Sequence, residues 1–253
     1  AALAFSNKEQ SGIITGVNVL HEEQLTKLFH KIRPQVVINC TGLTKHRSKG
    51  EDHLLAIAIN SLLPHQLAAL STQYNFRLIH FSTDCVFSGS KGNYKEEDFA
   101  DAGDVYGRSK WLGEVDIPAA VTLRTSMIGP ELCHQFGLLE WFLAQQEVCR
   151  GFTKAIFSGL PTVELARIIR DYVLVDESLS GLYHVAAEPI AKYDLLKLIS
   201  KVYGKVIELI PEDKLVIDRS LNGRRFEISS GYRAPDWHKL IEYMHEQHAK
   251  KGL

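Results

Sequence analysis

The chain has 253 residues, 45% hydrophobic and 23% charged, with a formal net charge of -1 at pH 7. That length can bury a sizeable core, and the composition is that of a water-soluble globular fold. The near-neutral charge gives no basic field for nucleic acid, and no apolar run is expected to reach the length of a membrane span.

The elements follow in chain order. The opening "AALAFSNKEQ" is an apolar run breaking into polar residues, without the charged-then-apolar order of a signal peptide, and "ALAF" reads as a strand. "HEEQLTKLFHKI" sets Leu25, Leu28, Phe29 and Ile32 on one helical stripe that Pro34 closes. "VVINC" (36–40) is a β-branched run suited to a strand covered on both faces. A helix over about 52–73 comes next, with Pro64 expected to kink or break it. "FRLIHFSTDCVF" is a second buried strand that runs out into polar residues, followed by a polar loop over 88–105. Tyr106 then opens a helix, and "AVTLRTSMIG" supplies the next strand. Beyond residue 130, "GLLEWFLAQQE", "PTVELARIIRDYVLV" and "KYDLLKLISKVYG" are amphipathic helices. "GLYHVAA" and "VIELIP" are short strands, and "PDWHKLIEYMHEQHAKK" is a closing helix.

This alternation predicts an α/β fold, a doubly wound parallel sheet of Rossmann-like form with a smaller C-terminal substrate lobe. Residues 1–129, with about 158–186 returning to them, would form the cofactor-binding domain, and about 130–157 and 187–253 the lobe. Ligands of such sheets sit beyond the carboxyl ends of the strands, where Thr41, Thr83 and Ser126 fall. The four cysteines, Cys40, Cys85, Cys133 and Cys149, lack zinc-like spacing, and Cys40 and Cys85 read as reduced, semi-buried thiols. His245 and His248 share a helical face with no further ligands evident, so no metal is expected.

A dinucleotide-binding domain should open with a strand, a glycine-rich turn and a helix. The 18 glycines contain no such cluster. "ALAF" is therefore read as the second strand, with the first strand, its glycine loop and the first helix absent from the numbered chain. An acidic residue after that strand takes the ribose hydroxyls of NAD, whereas a basic one favours a 2′-phosphate. Ser6, Asn7 and Lys8 come before any acid, which favours NADP(H) and leaves NAD(H) possible; an ordinary polar turn is the competing reading.

"DVYGRSKWLGE" places Tyr106 and Lys110 four positions apart, on one helical face. A cation beside a phenol favours phenolate and suits proton transfer to a carbonyl oxygen. Tyr193 and Lys197 repeat that interval in an ordinary amphipathic helix, so the spacing alone does not separate chemistry from packing.

Four stretches settle the reading when taken together. "VVINCTGLTKH", "IAINSLLPHQLA", "IHFSTDCVFSG" and "YGRSKWLGE" resemble successive motifs of the extended short-chain dehydrogenase/reductases, and most resemble the dTDP-4-dehydrorhamnose reductase group. "LRTSMIG", "GLPTVELARII", "GLYHVAA" and "RSLNGRRF" are similar to later segments of that group, so the likeness covers nearly the whole chain.

The resemblance implies a catalytic set of Thr83, Tyr106 and Lys110, because the family joins a strand-end hydroxyl to the Tyr and Lys of the next helix. Thr83 precedes Tyr106 by 23 residues; the same distance before Tyr193 reaches Arg170, inside a helix. Tyr106 would donate a proton to the carbonyl oxygen, held also by Thr83, as a nicotinamide delivers hydride to the carbon. A free phenol has a pKa of about 10, and Lys110 at about 4 Å, with an effective dielectric near 20, would favour phenolate by roughly 4 kcal/mol. Lys110 would also hold the nicotinamide ribose.

The resemblance further implies that Cys40, Thr41 and Gly42 pass close to the cofactor. Asn18, where the family commonly has Asp, and Val19 would receive the adenine, and Asn60 would support the site from below. Asp84, Cys85 and Arg219 would bind substrate, with Cys85 standing where many members have Tyr. Apart from the resemblance, the polar, glycine-bearing 88–104 loop reads as a lid over the sugar nucleotide, with a solvated face as the competing reading of its acidic run.

The implied activity is NADPH-dependent reduction of a nucleotide-linked 4-keto-6-deoxy sugar for surface polysaccharide synthesis. The expected partner is that small molecule, with no nucleic acid or membrane; the setting is cytoplasmic, and a homodimer is possible. Two alternatives stay open: a nucleotide-sugar epimerase or dehydratase with bound NAD, and a non-catalytic regulatory subunit resembling the methionine adenosyltransferase beta subunit.

Overall fold

In the computed structural model the described residues are 12–44, 52–131 and 136–250. The expected "ALAF" strand, with Ser6 and Asn7, and Cys133 lie outside them.

Helix α1 (Glu22–Ile32) carries Glu22 and Glu23 in its first turn and His30 and Lys31 in its last, each opposing the end of the helix dipole it faces. It buries Leu25 and Phe29, and Phe29 meets Phe76 with ring centroids 5.0 Å apart. Strand β1 (Val36–Asn39) follows. Asp52 then caps α2 (His53–Ala56) by accepting the Leu55 amide at 2.9 Å. The helix continues through a π segment, Ile57–Leu62, into α3 (Leu63–Tyr74). Pro64 does not break the helix, because it sits in the first turn of α3, where its missing N–H is tolerated. The distortion lies just before it. The wider π turn allows Ile59, Asn60 and Ser61, three consecutive residues, all to be buried. The whole helix, His53–Tyr74, is long and apolar enough to cross a bilayer by length and composition, contrary to the expectation from sequence. In the fold it packs against α1 and β2.

Strand β2 (Arg77–Thr83) leads into a short 3-10 turn, Asp84–Val86. Helix α4 (Val105–Leu112) starts where Asp104 accepts the Gly107 amide at 2.8 Å. The chain continues through β3 (Ala120–Thr125), β4 (Met127–Ile128), α5 (Leu138–Ala144), β5 (Val148–Phe152), β6 (Ala155–Phe157) and β7 (Leu160–Pro161). Then come α6 (Thr162–Ile168), β8 (Gly181–His184), β9 (Ile190–Ala191), α7 (Lys192–Val202) and β10 (Glu208–Glu212). The last elements are β11 (Ile217–Asp218), α8 (Arg224–Ser230) and α9 (Trp237–Lys250).

The main sheet runs β1-β2-β3-β8 with every neighbour parallel. Alternation along β2 sends Leu78 into a core with α1 and α3, and Ile79 into a core with α6 on the opposite face. The expected doubly wound sheet, with helices on both faces, is the fold observed. A third core joins α5, α7, α9 and the small sheets β5–β10 and β11-β6-β9.

The 88–104 segment is not a free lid. Tyr94 stacks on Phe87 with centroids 4.1 Å apart, its amide donates to the Ser220 carbonyl at 2.8 Å, and its carbonyl accepts the Asn222 amide at 2.7 Å. Glu96 accepts the His184 amide at 2.8 Å, fastening the segment to β8.

Candidate active site

The site is built where β2 ends and α4 begins. The Thr83 hydroxyl accepts the Cys85 amide at 3.1 Å and donates to the Asp84 carboxylate at 3.1 Å, so the strand end is locked into the following turn. Tyr106, in the first turn of α4, shares a hydrogen bond with Thr83. Two glycines permit this approach, although glycine is a poor helix former. A Cβ at Gly107 would run into the Cys85 carbonyl and Ala102, and one at Gly113 would run into the Asn60 carbonyl.

Lys110, only 6% exposed, donates from Nζ to the Phe81 carbonyl at 2.6 Å. Burial brings its pKa down to about 8, with Glu114 acting in the opposite direction. Tyr106 corrects the expectation of a lowered phenol pKa. Burial first, and then Cys85, push it well above the ordinary phenol range, and the Thr83 hydrogen bond offsets only part of that rise. Lys110 spends its short hydrogen bond on the strand carbonyl, and desolvation dominates at the phenol. The phenol is therefore protonated at neutral pH, which is the form a proton donor needs.

Asp84 and Cys85 follow directly in the turn. Burial raises the Asp84 pKa, opposed by the hydrogen bond from Thr83 and the nearby charge of Arg219. Arg219 reaches over from the end of β11, donating from Nε to the Phe87 carbonyl at 2.7 Å and from Nη1 to Cys85 Sγ at 3.7 Å. Arg224 and Arg225 are engaged elsewhere, with Glu227 and with Glu96 and Glu97 respectively.

On the other side of α4, Asn60 grips the chain that leaves β1. Its Oδ1 accepts the Leu43 amide at 2.8 Å, and its Nδ2 donates to the Leu43 carbonyl at 3.0 Å and to Ser109 Oγ at 3.1 Å. Thr41 donates through both its amide and its hydroxyl to Asn39 Oδ1, leaving Gly42 against the Asn60 side chain. Cys40 is exposed rather than semi-buried, as Cys85 is. Asn18 and Val19 belong to the turn into α1: Asn18 Oδ1 accepts the Leu20 amide at 3.1 Å, and Val19 packs on the core beneath.

The structure thus gathers Thr83, Asp84, Cys85, Tyr106 and Arg219, with Lys110 behind them and Asn60 bracing the Leu43 loop. Tyr193 takes no part. It packs on Gly151, and Lys197 lies over its ring at 5.3 Å.

Four residues escaped the reading of the sequence. Lys192, at the start of α7, also acts on the Asp84 carboxylate. His80, fully buried on β2, accepts at Nδ1 from Asn39 Nδ2 at 3.1 Å, and burial holds it neutral. Glu114 and Arg124 form a buried ion pair at 2.6 Å. The signals were an arginine inside the apolar run "AVTLRT" and a glutamate four positions after Lys110.

These residues fit the nicotinamide end of a dinucleotide. The Lys110 ammonium has three donors, of which Phe81 takes one. The Thr41–Leu43 loop lies at the carboxyl end of β1, beside the Thr83 end of β2.

Comparison with known proteins gives findings of three kinds. The family model of the RmlD substrate binding domain matches residues 2–215. A dTDP-4-dehydrorhamnose reductase of Aggregatibacter actinomycetemcomitans is 29% identical over 209 residues, covering 77% of this chain and 71% of the relative. The methionine adenosyltransferase 2 subunit beta of Danio rerio is 28% identical over 201 residues, 74% of this chain and 61% of that one. Among solved structures, the dTDP-4-dehydrorhamnose reductase of Bacillus anthracis str. Ames in complex with NADP superposes with a TM-score of 0.80 at 20% identity, covering 91% of this chain and 86% of the other.

Proposed function

We propose a function from one premise: this chain belongs to the RmlD substrate binding domain family. It is an NADPH-dependent reductase of a nucleotide-linked 4-keto-6-deoxy sugar, acting in the cytoplasm in surface polysaccharide synthesis. The observation that carries this is the hydrogen-bonded Thr83–Tyr106 pair, at the carboxyl end of a parallel strand, with Lys110 buried behind it. The reductase names of its relatives support it, and a structural neighbour solved in complex with NADP supports the cofactor.

NADPH, when bound, supplies the hydride that reduces the ketone carbon. Thr83 and Tyr106 would hold the carbonyl oxygen between two hydroxyls, the Thr83 O–H turning to it from Asp84, so negative charge developing there meets two donors. Tyr106 then gives up its proton, which its raised pKa keeps on the phenol until the alkoxide forms. Lys110 contributes positive charge under the phenol and hydrogen bonds to the nicotinamide ribose. Cys40, Thr41 and Gly42 border the cofactor; Asn60 holds the adjoining Leu43 loop at its correct height. Ser6 and Asn7 would meet the 2′-phosphate, and Asn18 and Val19 the adenine. Asp84, Cys85 and Arg219 face the sugar nucleotide, with Lys192 added to that group. The same proposal assigns residues 1–129 and about 158–186 to the cofactor domain and the remainder to a substrate lobe, with homodimer formation.

The test is to follow NADPH absorbance while the full chain is offered a panel of nucleotide 4-ketosugars. Stoichiometric oxidation with any one of them supports the reductase. Sugar conversion without net oxidation would replace it by an epimerase or dehydratase holding NAD. A regulatory role is the second reading, motivated by the likeness to the methionine adenosyltransferase subunit. Co-purification with a catalytic partner, with no keto sugar reduced, would favour that reading.

A further inference from the structure

Beneath α4 the main sheet carries a row of polar side chains in register. Ser82 of β2 pairs with Arg124 of β3, which pairs with His184 of β8. All three are buried. Buried polar groups persist only when they are satisfied, and here one carboxylate satisfies most of the row. Glu114, two residues past the last turn of α4, accepts the Ser82 hydroxyl at 2.6 Å. The same carboxylate accepts Arg124 Nε and Nη2, each at 2.6 Å, in the bidentate geometry characteristic of strong guanidinium–carboxylate pairs. Arg124 donates onward to His184 Nε2 at 3.2 Å, and His184 Nδ1 donates to the Tyr94 carbonyl at 3.0 Å.

Two members of this network lie next to parts of the site: Ser82 precedes Thr83, and Glu114 follows Lys110 by four positions. We propose that Glu114 is a positioning residue: by holding Ser82 of β2 and Arg124 of β3 together, its carboxylate ties the Thr83 end of β2 to the chain that follows the helix bearing Tyr106 and Lys110. The inference rests on the reductase reading for its catalytic meaning, but the tie itself is independent of the substrate.

Glu114→Gln leaves the side chain its size and removes the charge that holds Ser82 and Arg124 together.

Because Glu114→Gln strands Arg124 as an unpaired buried charge, that variant can fail to fold. Glu114→Gln/Arg124→Gln removes both members of the pair and avoids this. The experiment is a double-mutant cycle between Ser82→Ala and Glu114→Gln/Arg124→Gln, read by urea unfolding at pH 7. It reads the tie whether or not any sugar is reduced. The two losses of stability should fall short of additive, because both remove the same hydrogen bond. Full additivity overturns the tie. Ser82→Ala also tests the link between strand and helix without altering any charge. It should lower kcat about 10-fold with KM for NADPH unchanged, as for a lost orienting contact. Unchanged kcat in Ser82→Ala overturns the positioning role. If the wild type reduces no keto sugar, the reductase reading fails on that ground, while the unfolding cycle still decides the tie.

Discussion

Lys110→Met should make the protein more stable while destroying its activity. The lysine is 6% exposed, and burial lowers its pKa from 10.5 to about 8. That fall corresponds to about 3 kcal/mol of destabilisation when the group is charged in the fold. Methionine fills a similar volume without the charge, but gives up the hydrogen bond to the Phe81 carbonyl, worth about 1 kcal/mol. The net gain is about 2 kcal/mol at pH 7. The sign of its pH dependence is fixed as well. A lysine with a depressed folded pKa binds fewer protons folded than unfolded between about pH 8 and 10.5, so wild-type stability rises with pH across that window. The advantage of the variant is therefore full below pH 8 and fades towards pH 10.5. Urea unfolding at pH 7 and pH 10, extrapolated to water, measures both values. A variant less stable than wild type at pH 7, or an advantage equal at both pH values, would refute a buried, charged Lys110.

Tyr106→Phe should cut turnover by about 100-fold or more with NADPH binding nearly intact, as expected for loss of a general acid; Tyr193→Phe should leave the rate almost untouched, and equal losses in both would reverse their ranking. Burial, followed by the charge of Arg124, holds the His184 pKa down at about 3. Its contribution, up to about 5 kcal/mol, is therefore present above pH 6.5 and lost as pH falls towards 3. Acid unfolding of His184→Gln should show a flatter limb over that range, and an identical limb would contradict it. Gly113→Ala should cost about 1–3 kcal/mol by overpacking against the Asn60 carbonyl, read as a fall in the denaturation midpoint. Arg219→Met should raise KM for the sugar nucleotide several-fold while KM for NADPH stays constant, and the reverse pattern would remove Arg219 from the substrate side.

The sheet was legible because β-branched runs such as "VVINC" and "FRLIHFST" announce strands buried on both faces, and the stripe of Leu25 and Phe29 announces the helix beside them. Thr83 and Tyr106 were legible as a pair only through the family resemblance, since the Tyr–Lys spacing also occurs at Tyr193 and Lys197. The phenol's environment was not. Pairwise charge arithmetic predicted a lowered pKa, whereas desolvation, which depends on everything packed around the group, decided the direction. Pro64 marked the place of an irregularity but not its kind: the helix runs on from His53 to Tyr74, and the distortion is the π segment immediately before the proline. The 88–104 segment read as a lid from its polarity, while its fastening to residues 184 and 220–222 is a long-range fact that local composition does not carry. Glu114 drew no reading from the sequence, because its partner Arg124 comes to it only through the sheet.

The π segment at Ile57–Leu62 has a consequence for any related or redesigned chain. A regular helix advances by a fixed angle with every residue, so what it points inward is a matter of phase. Here the π turn takes up one surplus residue midway, and the bulge is what lets Asn60 and Ser61 both engage Ser109. Deleting a single amino acid between 57 and 62 would let the turn close into a regular helix, its two halves keeping their orientation while the bulge that presents consecutive residues inward is lost. What has to be preserved at this point is therefore a number, the tally of residues between Asp52 and Leu63, as much as any identity within it.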